Sequence, residues 1–248
     1  WIDASSPGRE LSVKDGVGMA RKIGLDQGLR ILAEQDRLTA PLVSLDGDSR
    51  VDARYLSVLH RFFEPPASRW ACVLPYAHPV EGSDAERAAI LSYELYLRYH
   101  ALHLAWSGSP YAHHTIGSTM ACTAEAYAAV SGMNRRLAGE DFYYLQQLAK
   151  TGKLEGLTGT VVRPSARPSQ RGPFGTGQFV QRFLDGDLSE CRLYHPDSYE
   201  VIRAWLQMAT GDPARPAADI LASARAQHTE LGTFLEQQDF VRSWDRIA

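Results

Sequence analysis

The sequence predicts an α/β domain with a mainly parallel sheet, followed by an all-helical extension. Three observations predict it. Short apolar runs of strand length alternate with longer segments of helical period. Gly and Pro punctuate most of the boundaries between them. From about Asp187 onward the segments read as helices, which divides the chain into residues 1–186 and 187–248.

The elements follow in order. Trp1, Ile2 and Asp3 read as the tail of a strand, and residues 5–15 as a polar loop. A chain that opens this way without an initiator Met is expected to be a fragment or a processed form. Gly16-Val17-Gly18 enters a helix whose Ala20, Ile23, Leu29, Ile31 and Leu32 share one face. Residues 41–45 suit a buried strand, and 52–63 a helix closed by Pro65-Pro66. Residues 71–76 are a further apolar strand. Ser83 and Glu86 have capping-box spacing, with Ser83 as N-cap of a helix running to about Trp106. Residues 118–122 suit a strand, 123–130 a helix, and Ser131-Gly132 a turn. A helix over 140–151 stops at Gly152. Residues 159–163 are strand-like, and 164–177 form a basic loop rich in Pro and Gly. The later helices break at Gly211-Asp212-Pro213 and at Pro216, and no internal repeat is found.

Composition narrows the function classes. The 248 residues are 44% hydrophobic with a net charge of −3, enough for a sizeable core and too balanced to predict a nucleic-acid partner. Cys72, Cys122 and Cys191 form no CxxC pair, so neither a disulfide framework nor a zinc site is expected, and a reducing, cytoplasmic setting fits. No run approaches membrane-span length, and the N-terminus lacks the basic and apolar regions of a signal segment.

Two acidic sites carry the chemistry. Leu42-Val43-Ser44-Leu45-Asp46-Gly47-Asp48 is an apolar run ending in two carboxylates. Ligands of open α/β sheets bind beyond such strand ends. Asp46 and Asp48 are hard oxygen ligands of the kind Mg²⁺ and Mn²⁺ share with phosphates; the same residues also suit a solvated turn. An EF-hand loop starting at Asp46 fails, because its sixth and twelfth positions hold Val51 and Ser57. Gly139-Glu140-Asp141 opens a helix, where an acid serves either as a general base toward a hydroxyl or as a simple cap. Gly16-x-Gly18 lacks the third glycine of a dinucleotide fingerprint, since Arg21 stands there. Arg21 and Lys22 still lie at a helix start that favours anions. Arg163, Arg167 and Arg171 recur every four residues ahead of Gly172-Pro173-Phe174-Gly175-Thr176-Gly177, as a phosphate-binding loop or a basic surface loop.

Taken in order, Gly16 to Gly24, Leu45-Asp46-Gly47-Asp48-Ser49, Gly117 to Cys122 with Ala126 to Asn134, and Gly139-Glu140-Asp141 resemble the inverting glycosyltransferases of family 2, with their DxD and ED motifs. The resemblance covers residues 16 to about 177. It implies a GT-A, Rossmann-like three-layer sandwich and transfer of a hexosyl-type sugar from a nucleotide-sugar donor to a hydroxyl acceptor. It implies that Asp48 binds the metal (Mn²⁺ or Mg²⁺), that Asp46 contacts metal or donor, and that Asp141 is the general base with Glu140 beside it. It places Arg21 and Lys22 near the nucleotide and makes Arg167 and Arg171 donor-side candidates. The family's first strand and base-reading acid belong well before Gly16, so this chain is expected to bind donor poorly by itself. The QxxRW motif of processive synthases is absent; Gln170-Arg171 comes nearest.

Two other readings stay open: a metal-dependent phosphohydrolase with Asp46 as nucleophile, and a non-catalytic module acting through the helical tail. That tail serves as either a homo-oligomer surface or a brace. His113-His114 and His195 are further metal candidates, for which plain polar positions are the stronger reading. Tyr93, Tyr96, Tyr99, His100, His103 and Trp106 form an aromatic stripe near helical spacing, in the region that shapes an acceptor pocket in the resembled family.

Overall fold

The computed structural model describes residues 2–12, 15–64, 69–170, 172–212 and 214–246. The chain forms two compact units. One comprises Trp1–Leu97 with His113–Arg192, the other Arg98–Ala112 with Leu193–Ala248. The expected stop at Pro65-Pro66, the break at Pro213 and the candidate Arg171 lie outside the described residues.

The first unit contains α1 (Val17–Glu34), β1 (Pro41–Ser44), β2 (Arg50–Val51), α2 (Tyr55–Phe63), β3 (Ala71–Val73), the first part of α3 (Asp84–Trp106), β4 (Met120–Thr123), α4 (Ala124–Ala129), α5 (Glu140–Thr151), β5 (Leu154–Gly156), β6 (Val162–Arg163) and α6 (Thr176–Leu184). Local chemistry sets several boundaries. Ser83 Oγ accepts the Glu86 N–H at 3.3 Å while Glu86 Oε2 accepts the Ser83 N–H at 2.8 Å, the reciprocal capping box that opens α3. Thr123 Oγ1 accepts the Ala126 N–H at 3.1 Å and caps α4. Asp52 accepts from the Arg54 N–H at 2.9 Å and the Thr160 hydroxyl at 3.0 Å, which makes 52–54 a turn and starts α2 at Tyr55.

The sheet is mixed, not mainly parallel. Among the described residues its order is β1-β4-β3-β5, with β4 antiparallel to both neighbours and only β3–β5 parallel. Alternation of strands and helices does not fix strand direction. A connection as long as the one through α3 can return its strand to either end of the sheet. The short strands β2 and β5 carry Arg50, Glu155 and Gly156, and no alternating apolar pattern announces them.

Period-two alternation covers both faces of the sheet with helices. On one face Leu42, Ala71, Val73, Met120 and Cys122 pack with Leu25 of α1, Tyr127 of α4 and Leu145 and Leu148 of α5. On the other, Cys72, Leu74 and Ala121 pack with Tyr55, Leu59 and Phe63 of α2. Gly16 and Gly18 let α1 approach the segment ahead of α5. A Cβ on Gly18 would lie 2.6 Å from the Arg136 carbonyl oxygen, and one on Gly16 would collide with the Leu137 backbone.

The second unit holds α7 (Pro196–Gly211), α8 (Ala217–Gln227), α9 (Thr229–Gln237) and α10 (Phe240–Trp244). Its core joins Met208, Ile220, Ala224, Leu231, Leu235 and Phe240, with Trp205 edge-on to Phe240 at 5.4 Å between ring centres. His195 caps α7 through the Asp197 N–H at 3.3 Å. The aromatic stripe of α3 divides. Tyr99, His100 and His103 pack on Tyr199 in this unit, while Tyr93 and Tyr96 belong to the first. Among the described residues no helix is long and apolar enough to cross a membrane.

Candidate functional site

The loop after β1, the first turns of α1 and α5, and the segment before α6 line one cleft of about 960 Å³ in the first unit. It gathers Arg21, Asp46, Asp48, Glu140, Asp141 and Arg167. Lys22 is not among its lining residues; its ammonium pairs with Asp26 at 3.0 Å, one turn along α1.

Arg21 is the centre of the floor. Its side chain is 11% exposed. The Nε–H donates to Ser44 Oγ at 3.1 Å, Nη1 to Glu140 and Nη2 to Asp46. Two segments distant in sequence, residues 44–46 and the start of α5, are thereby fixed to one planar group of α1, the fork geometry for which arginine is suited. Gly117 gives it room: a Cβ at that position would fall into the Arg21 guanidinium. In this structure the side chain holds acids rather than presenting free donors to the cleft.

The two acids of α5 divide their work. Glu140 is 3% exposed and faces Arg21, while its carbonyl accepts from Asn134 Nδ2 at 2.8 Å. Burial raises its carboxyl above the usual range, the neighbouring Asp141 adds to this, and Arg21 opposes both. Asp141 is only partly covered and takes the Phe142 N–H at 2.8 Å. Burial is again the main cause that raises its carboxyl, against the Phe142 hydrogen bond and Arg21.

At the other wall Arg167 Nη2 meets Asp48 Oδ2 at 2.8 Å, with side chains 63% and 42% exposed. Arg167 begins a strap, described over residues 167–170 and 172–177, in which the Ser169 N–H donates to the Gly177 carbonyl at 2.9 Å. Ser49 and Ser118, which also line the cleft, bury hydroxyl oxygens that have no hydrogen-bond partner among the described residues. Buried polar groups in that condition are commonly satisfied by a ligand or by water.

The donor set bears on the expected cation. Asp46 and Asp48 put two carboxylates on one cleft. Among the described residues no group of three or more His, Cys, Asp or Glu stands close enough to cage a metal. Two carboxylates suit a Mg²⁺ or Mn²⁺ that takes its other ligands from water and phosphate, and in this structure each is paired with an arginine instead, Asp46 with Arg21 and Asp48 with Arg167. Of the other candidates, His114 donates through Nε2 to the Leu74 carbonyl at 2.8 Å, and His195 serves its helix cap.

Sequence reasoning missed a second buried polar group. His78 and Glu94 join to Thr176 at the strap's end, with Nδ1 2.7 Å from Glu94 Oε1 and Nε2 3.1 Å from Thr176 Oγ1. The available signal was an acid, Glu94, inside the aromatic stripe of α3.

Compared with family models, curated proteins and solved structures, the chain matches none.

Proposed function

We propose that this cleft transfers a sugar from a nucleotide-sugar donor to a hydroxyl acceptor with inversion at the anomeric carbon, on a GT-A-type core. The observation that carries the reading is the convergence of the Asp46-Gly47-Asp48 loop and the Glu140-Asp141 pair on one cleft, joined through Arg21. Asp46 and Asp48 would hold a divalent cation, which when bound neutralises charge on the leaving diphosphate. Asp141 accepts the proton of the acceptor hydroxyl as that oxygen attacks. The burial that raises its carboxyl makes it a stronger base than a surface aspartate, and such bases contribute on the order of 10²–10⁴-fold. Glu140 and Arg21 fix the first turn of α5, and so the place from which Asp141 acts. Arg167, exposed and paired with Asp48, is free to exchange that carboxylate for a donor phosphate.

Titration calorimetry with Mn²⁺ and UDP, GDP, dTDP or pyrophosphate, on the wild type and on Asp48→Ala, tests this. Metal-dependent binding that Asp48→Ala abolishes is the expected result. Pyrophosphate is included because it probes the metal and phosphate site without calling on a base-reading segment. Binding unchanged by Asp48→Ala, or absent for every probe, overturns the reading. Phosphate release from a phosphomonoester without any acceptor would favour a phosphohydrolase with Asp46 as nucleophile.

A further inference from the structure

The strap that walls the cleft is tied to a buried polar chain remote in sequence from the acids of the floor. His78 follows β3, and its side chain is wholly covered. Its backbone N–H and its ring Nδ1 both meet Glu94 Oε1 at 2.7 Å. A carboxylate only accepts, so Nδ1 carries a proton. In the neutral ring Nε2 is then the acceptor, and the Thr176 hydroxyl, 3.1 Å away, donates to it. Tyr93, the residue before Glu94 on α3, is hydrogen-bonded to Thr176 as well. A hydroxyl, an imidazole and a carboxylate stand in line, and the chain ties the first residue of α6 to α3 and to the segment after β3.

The anchor lies where it matters for the cleft. Thr176 is the first residue of α6, directly after Gly175, whose φ of 98° turns the chain into the helix. The Ser169–Gly177 hydrogen bond closes the strap one residue further on. Arg167 stands two residues before that closure, and Phe174 between the ties is 70% exposed. A buried carboxylate–imidazole pair is costly to desolvate, and an apolar pair would fill the space at lower cost. What the polar chain adds is direction: three hydrogen bonds in sequence fix one position for the start of α6.

We propose that His78 and Glu94 are positioning residues, which through the Thr176 hydroxyl set the strap where Arg167 reaches the phosphate side of the cleft. The part that concerns phosphate rests on the transferase reading. The holding of the strap does not.

Amide hydrogen exchange of residues 169–177 in the wild type, Thr176→Val, Thr176→Ser and His78→Phe tests the proposal, alongside calorimetry with Mn²⁺ and pyrophosphate. Thr176→Val keeps the side-chain shape and removes the hydroxyl. It is expected to speed exchange in the strap about tenfold with only a small fall in melting temperature, and to weaken Mn²⁺-pyrophosphate binding by a similar factor. Thr176→Ser restores both, and His78→Phe matches Thr176→Val. Strap exchange at the wild-type rate in Thr176→Val overturns the proposal. So does loosening that spreads through the whole unit, which marks an ordinary core contact. Should His78→Phe fail to fold, the Val and Ser pair alone decides. If wild-type protein binds no metal-diphosphate, the transferase reading fails while the exchange data still decide the anchor.

Discussion

Arg21 and Arg167 each pair with an aspartate of the same loop, Asp46 and Asp48, yet they are opposite kinds of contact. Arg21 is 11% exposed and holds Ser44, Asp46 and Glu140 together. Arg167 is 63% exposed on the strap and meets only Asp48 among the ion pairs of the described residues. A buried guanidinium between two carboxylates cannot leave without stranding Glu140 in a place closed to water. An exposed pair exchanges partners with solvent and ions at little cost. One wall of the cleft is therefore built to stay and the other to respond, a division that suits the proposed transfer, in which a base is fixed while a charged donor comes and goes.

The largest expected effect comes from the fixed wall. Asp141→Asn should lower turnover by about 10²–10⁴-fold and leave Mn²⁺-pyrophosphate affinity unaltered. Full activity in that variant would remove Asp141 from the chemistry. The same variant reads the electrostatics. Because the folded state raises the Asp141 carboxyl, it holds a proton that the unfolded chain releases earlier. Its contribution to stability is complete below the ordinary carboxylate range and is lost as pH rises through the raised folded value. The melting temperature of Asp141→Asn minus that of wild type should thus grow from pH 3 toward pH 7; a flat difference contradicts the raised carboxyl.

Next, Arg21→Ala should destabilise the protein by about 3–5 kcal/mol in urea unfolding, because it leaves Glu140 buried and uncompensated. A loss below about 1 kcal/mol would place Arg21 in the same class as a surface pair and collapse the contrast between the walls. The smallest stability effect belongs to the responsive wall. Arg167→Ala should shift unfolding by no more than about 1 kcal/mol, while weakening Mn²⁺-pyrophosphate binding and making it less sensitive to added salt. A large stability loss there would show that the strap, too, is scaffold.

Much of the fold was legible because its causes are local. The capping box of Ser83 and Glu86 and the limits of α5 follow from spacing within a single turn or helix. The acids of the site were legible for a related reason: Asp46 and Asp48 end an apolar strand, and Glu140 and Asp141 open a helix. Sheet direction was not, because helix-separated strands carry no mark of the end to which each connection returns. Nor was the role of Arg21 visible, since its partners stand at 44, 46 and 140. Read beside its neighbours it is only a cation at a helix start. Lys22, one residue on, finds its partner at Asp26 by ordinary helical spacing, and local sequence reads that pair better than it reads the cleft. His78 and Glu94 escaped notice because neither belongs to a motif, and only the approach of α3 to the strap brings them into line with Thr176.

The absence of a side chain at Gly117 has a consequence for any survey of mutational tolerance. Arg21 fills the volume a methyl group would need there, so even alanine, the mildest replacement, would oblige the guanidinium to shift within its contacts to Asp46 and Glu140. In a saturation library, position 117 should lose tolerance as the replacement side chain grows, because each added atom displaces the Arg21 guanidinium further. A map built from such scores would mark as functional a residue that has no chemistry of its own, and its intolerance would belong to Arg21.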